Sequence, residues 1–341
     1  MKKKGILICL LLLMLISIIN LYSINSTLFI KELIWYIISL GLLFLINKWN
    51  INYIFKYSFY LYLIGNLFLL LTLLIGNSVN GARGWISLGM FSFQPSEFMK
   101  VFLIFYLRYF TLKYNFNDYK YILFSLVIIL IPSILTFLEP DTGAVIIYFI
   151  IWITYLGINR VNKWYFIVGG LTLLVLIIGF LLLYYKYQSV FIKIFGTSFF
   201  YRMDRITNFF NSDGYQIKQA LTSISNSGVW GIKRRVYFPE ESTDFALTLF
   251  IANFGIFGLI VLLMVFSLLF YDLININGDI YLIKPLIWIL LFQYSINILM
   301  NVGLFPIIGL PLPFISYGGS SLISYMILLG FILKDKHDTY L

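Results

Sequence analysis

The chain holds 341 residues, 61% of them hydrophobic and only 11% charged, with a mean hydropathy of +0.94. A soluble domain carries nearer a quarter charged residues, so the composition excludes a soluble fold and predicts an all-α, polytopic membrane protein. The net charge of +10 resides in basic residues that punctuate apolar runs instead of gathering on one face, which argues against nucleic-acid binding.

The first stretch, MKKKGILICLLLLMLISIINLYSI, begins like a secretory signal but is nearer span length and lacks a small-x-small cleavage site. It is expected to stay as an uncleaved first span. Cys9 inside it is the chain's single cysteine, so no internal disulfide can form. With one histidine, His337 in the tail, standard zinc spacing is excluded too.

Helical spans need about 20 apolar residues. That rule places ten, near 5–23, 32–47, 56–76, 95–110, 121–138, 143–158, 164–184, 244–271, 281–301 and 319–333. With Lys2 to Lys4 inside, alternation assigns Lys48, Lys56, Arg108, Lys113, Lys120, Arg160, Lys163, Lys284, Lys334 and Lys336 to the cytoplasmic side. The short outer connections carry little beyond Lys31 and Arg83, as the positive-inside rule expects, and both termini fall in the cytoplasm. The chain reads as one domain, 1–341, without internal repeats.

Three outer connections look more than connective. NGARGWISLGMFSFQPSEFMK runs through Pro95 into a span bearing Glu97 and Lys100, three apart and able to pair. LEPDTGA is a tight turn with Glu139 and Asp141. LFPIIGLPLPFISYGGSS, rich in Pro and Gly, is tolerated at membrane depth only where it is buried in protein or lines a cavity. The fourth outer segment is a large extracytoplasmic loop, 185–243, whose aromatics alternate with Arg202, Arg205, Gln216, Lys218 and Gln219. It predicts amphipathic helices lying on the interface. It ends in YFPEESTDFALTLF, which sets Asp244 at the mouth of a span, where an ionisable group is costly without a function.

Together these strings resemble the SEDS family, the RodA/FtsW-type peptidoglycan polymerases. The resemblance rests on FIKELIWYIISLG, GARGWISLGMFSFQPSEFMK, EPDTGA, the YR..RI..F.....GYQ..QAL pattern, FPEESTDF and NVGLFPIIGLPLPFISYGGSS, in the family's order. It implies a glycosyltransferase that joins lipid II into glycan strands on the outer face of the bacterial cytoplasmic membrane. It also implies a class B penicillin-binding protein as transpeptidase partner. The short N-terminus leans toward the RodA branch. Two departures lie near the expected site: Ala252 and Asn253 stand where the family has an acidic pair, and NSGVWGIKRRVYFPEE before Phe238 is a shortened Gly-rich stretch.

The implied reaction needs a base for the acceptor hydroxyl, and Asp244 is the candidate. The simpler reading is that Asp244 N-caps its helix. Charge growing on the pyrophosphate leaving group calls for cations, with Arg83, Lys100, Arg202 and Arg205 as candidates. Against that, Glu97 and Lys100 can simply neutralise each other, Arg202 and Arg205 can anchor on anionic lipid, and Arg83 can be an interfacial anchor. Asp141 belongs to the substrate-facing set or ends a turn. Gln216 and Gln219 share a helix face and either read sugar and phosphate oxygens or face solvent. Ser316 shapes the re-entrant wall. Magnesium or manganese could bridge pyrophosphate to a carboxylate, although no aspartate pair marks such a site. Two other functions stay open: a flippase for a lipid-linked sugar, which would be expected to show two related halves, and a non-catalytic scaffold for the transpeptidase.

Overall fold

The computed structural model describes residues 2–46, 49, 51–79, 82–89, 91–187, 189–190, 193, 215–231 and 237–334. Arg202 and Arg205, with the aromatic segment around them, lie outside the described residues. The helices are α1 (Lys2–Tyr22), α2 (Ser26–Ile46), α3 (Ile51–Lys56), α4 (Ser58–Ile75), α5 (Pro95–Lys113), α6 (Asp118–Leu138), α7 (Thr142–Ile158) and α8 (Lys163–Lys186). After these come α9 (Tyr215–Ser227), α10 (Ala246–Ile274), α11 (Ile280–Asn301) and α12 (Gly319–Leu333). Six of them, α1, α2, α4, α6, α10 and α11, are long and apolar enough to cross a membrane, while α7 and α12 are shorter apolar helices. The protein is a multi-pass membrane protein.

The expectation of an all-α chain needs one correction. The connection after α4 folds into a three-stranded antiparallel sheet in sequence order, β1 (Asn77–Val79), β2 (Ala82–Leu88) and β3 (Phe91–Phe93). Trp85, Ile86, Leu88, Phe91 and Phe93 are residues that favour a pleated surface, and Gly89, at φ 70°, starts the tight return between β2 and β3. Leu88 pairs with Phe91 and Ile86 with Phe93.

Two span boundaries move. α2 begins at Ser26, six residues before the expected 32, so Glu32 lies two turns inside a helix and is 1% exposed. α10 begins at Ala246 with Phe245 at its N-cap and no side-chain cap bond, so Asp244 belongs to the preceding turn.

α10 is also broken. Gly255 leaves helical geometry at φ 65°, ψ −163°. The amides released there are not orphaned: Ile256 N–H donates to Gly228 O and Phe257 N–H to Val229 O, both at 3.1 Å. The approach is so close that a Cβ on Gly255 would stand 2.3 Å from Val229 O, and one on Gly231 2.2 Å from Asn253 O. The shortened NSGVWG segment thus supplies the backbone partners of a helix break. Asn253 beside it donates to Asn20 Oδ1 at 3.0 Å and Ser23 Oγ at 2.8 Å, tying α10 to the end of α1.

Candidate functional site

Polar side chains gather at the end of the bundle where α5, α7, α10 and α12 begin and α11 ends. The turn carrying Asp244 is held by its own backbone and by its neighbours. Glu240 adopts φ 56°, and its carbonyl accepts from Thr243 N–H at 3.2 Å and Phe245 N–H at 3.1 Å. The Thr243 hydroxyl donates to the Glu240 carboxylate at 2.7 Å. Three successive carbonyls then point into the protein. Ser242 O accepts from Tyr317 N–H at 2.8 Å, and Thr243 O from the Ser316 hydroxyl at 2.6 Å. Asp244 O accepts from the side-chain amides of Asn297 and Asn301, at 3.0 and 3.1 Å. The backbone of Asp244 is locked while its side chain stays half-buried.

Asn297 and Asn301 were not among the residues the sequence brought forward. The signal existed: two amides four apart in an otherwise apolar helix lie on one face. Gln293, one turn earlier, extends that face. All three are fully buried. Asn301 also accepts from Thr248 N–H and its hydroxyl, at 3.0 and 2.7 Å, and Gln293 meets the Tyr325 hydroxyl. A polar stripe therefore runs along α11 from the Asp244 turn to Tyr325.

The second part of the site lies under the β-sheet. Glu97 and Lys100 pair as expected, at 2.5 Å, but both are buried, at 7% and 1% exposure. The Lys100 ammonium also sits 3.7 Å from the centroid of the Tyr325 ring. A buried cation of this kind is satisfied within the fold. Asp141 caps α7 through Ala144 N–H at 3.0 Å and accepts from Gln94 Nε2 at 3.1 Å and Ser96 Oγ at 3.0 Å. Gln94 N–H reaches Ser320 Oγ at 3.1 Å, which joins α12 to the cluster. Gln94, Ser96 and Ser320 are further residues the sequence reading passed over.

Burial pushes the Glu139 carboxyl up to about 8, and the nearby Asp141 charge adds to this against the bond from Thr72. Burial also raises Asp141 above the ordinary carboxylate range, opposed by the donors from Ala144, Ser96 and Gln94. Arg83 is exposed on β2 and is joined to this corner by its backbone, whose N–H donates to Glu139 O at 3.2 Å. Gln216 and Gln219 lie half-buried on α9, whose Ala220 packs with Phe238, Phe245 and Leu249 beside the Asp244 turn. Among the described residues no group of three or more His, Cys, Asp or Glu could hold a metal ion.

The FtsW/RodA/SpoVE family model, described as a cell cycle protein family, matches residues 3–340. The chain belongs to this family. A probable peptidoglycan glycosyltransferase FtsW of Coxiella burnetii is 34% identical over 337 residues, covering 91% of this chain and 87% of the relative. The FtsW relative of Wigglesworthia glossinidia brevipalpis is 31% identical, covering 90% and 83%. Two solved structures share the fold. One is a chain from a peptidoglycan synthase complex that coordinates polymerization and crosslinking, with a TM-score of 0.81 at 22% identity and 96% coverage of each chain. The other is the rod shape determining protein RodA of Thermus thermophilus, with a TM-score of 0.70 at 23% identity, covering 96% of this chain and 94% of that one.

Proposed function

We infer that this chain is a peptidoglycan glycosyltransferase that polymerises lipid II, with Asp244 as the general base. The observation that carries the reading is the turn itself. Its three carbonyls are anchored inward by Tyr317, Ser316, Asn297 and Asn301, which holds the Asp244 Cα at a set position at the polar end of the bundle. A base must be held within hydrogen-bond reach of the proton it removes.

The Asp244 carboxylate takes the proton from a sugar hydroxyl of the acceptor. That oxygen attacks the donor's anomeric carbon, and the bond to the pyrophosphate oxygen breaks, releasing the prenyl pyrophosphate. Arg83, Arg202 and Arg205 are the cations assigned to the departing charge. Lys100, paired with Glu97 and covered by Tyr325, serves by organising α5 around Asp141. Gln216, Gln219 and Ser316 complete the wall of the substrate site. Ten helices, the six long apolar ones with α5, α7, α8 and α12, are the spans of one integral membrane unit in the bacterial cytoplasmic membrane. Both termini are cytoplasmic, and the 185–243 loop is outside. A class B penicillin-binding protein is the partner that crosslinks the product.

The test is gel-resolved polymerisation of lipid II by wild type and Asp244→Ala. The variant is expected to lose at least about a hundredfold in turnover, the scale of general-base catalysis. Wild-type glycan ladders from Asp244→Ala would remove Asp244 as the base. No ladder from the wild type, alone or with its partner, would remove the polymerase reading.

A further inference from the structure

A cavity at the other end of the bundle has no part in the chemistry above. α7 starts at the Asp141 cluster and α11 ends at Asn301, so the end of α7 and the start of α11 lie far from the Asp244 turn. Lys284 is about 20 Å along α11 from Asn297, at about 1.5 Å per residue. There α7, α8 and α11 enclose a groove of about 560 Å³. Its wall includes Ile153, Gly157, Phe166 and Trp288, and its polar side chains are those of Thr154 and Lys284. The Thr154 hydroxyl is spent on Ile150 O at 2.7 Å.

Lys284, Arg160 and Lys163 are exposed, and none makes an ion pair or a side-chain hydrogen bond among the described residues. Helical spacing puts Lys163 on the face of Phe166, three residues on in α8, and Lys284 on the face of Trp288, four residues on in α11. Arg160 stands two residues past Ile158, which also lines the groove. The neighbouring acids are engaged elsewhere. Asp118 accepts from Asn162 N–H at 2.9 Å, and Asp279 from the Arg108 side chain and from Tyr281 N–H. The mouth therefore carries uncompensated positive charge above an apolar wall.

α8 leaves the groove open along its length. Val168, Leu171 and Leu174 are exposed, and a Cβ on Gly169 or Gly170 would meet open space. A helix with its side chains is about 10–12 Å across, so this volume holds only about one turn of a partner helix. Acyl chains are thinner and fit it. Basic pockets between membrane helices on the cytoplasmic side bind anionic lipid head groups, and this is the cytoplasmic end in the proposed topology.

We propose that the groove binds an anionic phospholipid from the leaflet opposite the Asp244 turn. Its phosphate sits on Lys284, Arg160 and Lys163, and an acyl chain lies against Ile153, Phe166 and Trp288. Seated there, the lipid ties α8 to α7 and α11. The proposal rests on neither Asp244 nor the transfer reaction.

Full-length protein in neutral detergent is heated with phosphatidylglycerol, with phosphatidylcholine of the same chains, or with glycerol 3-phosphate. Native mass spectrometry counts the lipid retained. Phosphatidylglycerol is expected to raise Tm above the phosphatidylcholine value, because a ligand that binds only the folded state stabilises it, and to be retained as one molecule. Glycerol 3-phosphate should leave Tm unchanged. Lys284→Gln should weaken apparent affinity for phosphatidylglycerol about fivefold, the scale of one cation at an anionic surface, and Lys284→Arg should restore it. Adding Arg160→Gln and Lys163→Gln should remove the preference for the anionic lipid. Gly157→Trp fills the groove from a position where a Cβ meets open space, so it should abolish retention with all three charges intact. Equal Tm in the two lipids, or the same rise from glycerol 3-phosphate, would overturn the proposal on the wild type alone, whether or not the variants fold. So would a Gly157→Trp that still retains the lipid, or a triple variant that still prefers phosphatidylglycerol.

Discussion

Asn301 donates to the backbone carbonyl of Asp244 at 3.1 Å while its own carbonyl oxygen accepts from both the amide and the hydroxyl of Thr248. One buried amide thus joins the turn that bears the carboxylate to the first turn of the following helix.

Asn301→Ala leaves buried groups of Thr248 without a partner, at about 1–3 kcal/mol for each unsatisfied group. Asp244 O keeps its bond from Asn297, so the single variant should lower the melting temperature and reduce turnover without abolishing it. Asn297→Ala combined with Asn301→Ala removes both donors from one carbonyl. The pair should cost more than the sum of the singles, since neighbours sharing a partner are not additive. Thermal denaturation and lipid II turnover on the four proteins of the cycle would measure this, and simple additivity would argue against a shared anchor.

The Glu97–Lys100 pair makes a similar forecast with the opposite sign of coupling. Lys100→Met leaves the Glu97 charge buried without its partner, and breaking a buried pair by removing one partner costs about 3–5 kcal/mol. Adding Glu97→Gln to Lys100→Met removes the orphaned charge and should recover much of that loss. Melting temperatures of the single and double variants decide it. A double variant no better than Lys100→Met would mean that the pair is not the source of the instability.

Glu139 should make stability depend on pH. Its folded value of about 8 lies above the ordinary glutamate value of 4.5. Between those two values the folded state holds a proton that the unfolded state has released, so stability falls as pH rises, by at most about 1.4 kcal/mol per pH unit from this group. The contribution is fully present below the unfolded value and is lost as pH passes through about 8. Glu139→Gln should flatten the slope of melting temperature against pH across that window. An unchanged slope would place the titration elsewhere.

Gly255→Ala should be among the most damaging single methyl additions in the chain. The alanine would have to adopt φ 65°, ψ −163°, and its Cβ would lie 2.3 Å from Val229 O. A strained backbone of this kind costs about 1–3 kcal/mol before the clash is counted. Loss of expression or a large fall in melting temperature is expected, whereas Gly157→Ala, where a Cβ would meet open space, should be close to silent.

Much of this architecture was legible in the residue order. Long apolar runs can satisfy their backbone in a bilayer only as helices, so composition and run length sufficed to predict a mostly helical, multi-pass membrane protein. The Glu97–Lys100 pairing followed from helical spacing. Tertiary structure decided the rest, because those features depend on contacts between segments far apart in sequence. Glu32 stands at the edge of the span that run length predicts, whereas the packed α2 begins at Ser26 and buries it inside the helix. Asn297 and Asn301 gained their meaning from a carbonyl more than fifty residues earlier. The break at Gly255 persists because Gly228 and Val229 accept the amides it releases. Hydropathy is a property each segment carries alone; a hydrogen bond across the bundle belongs to two segments at once, and only the packed chain brings them together.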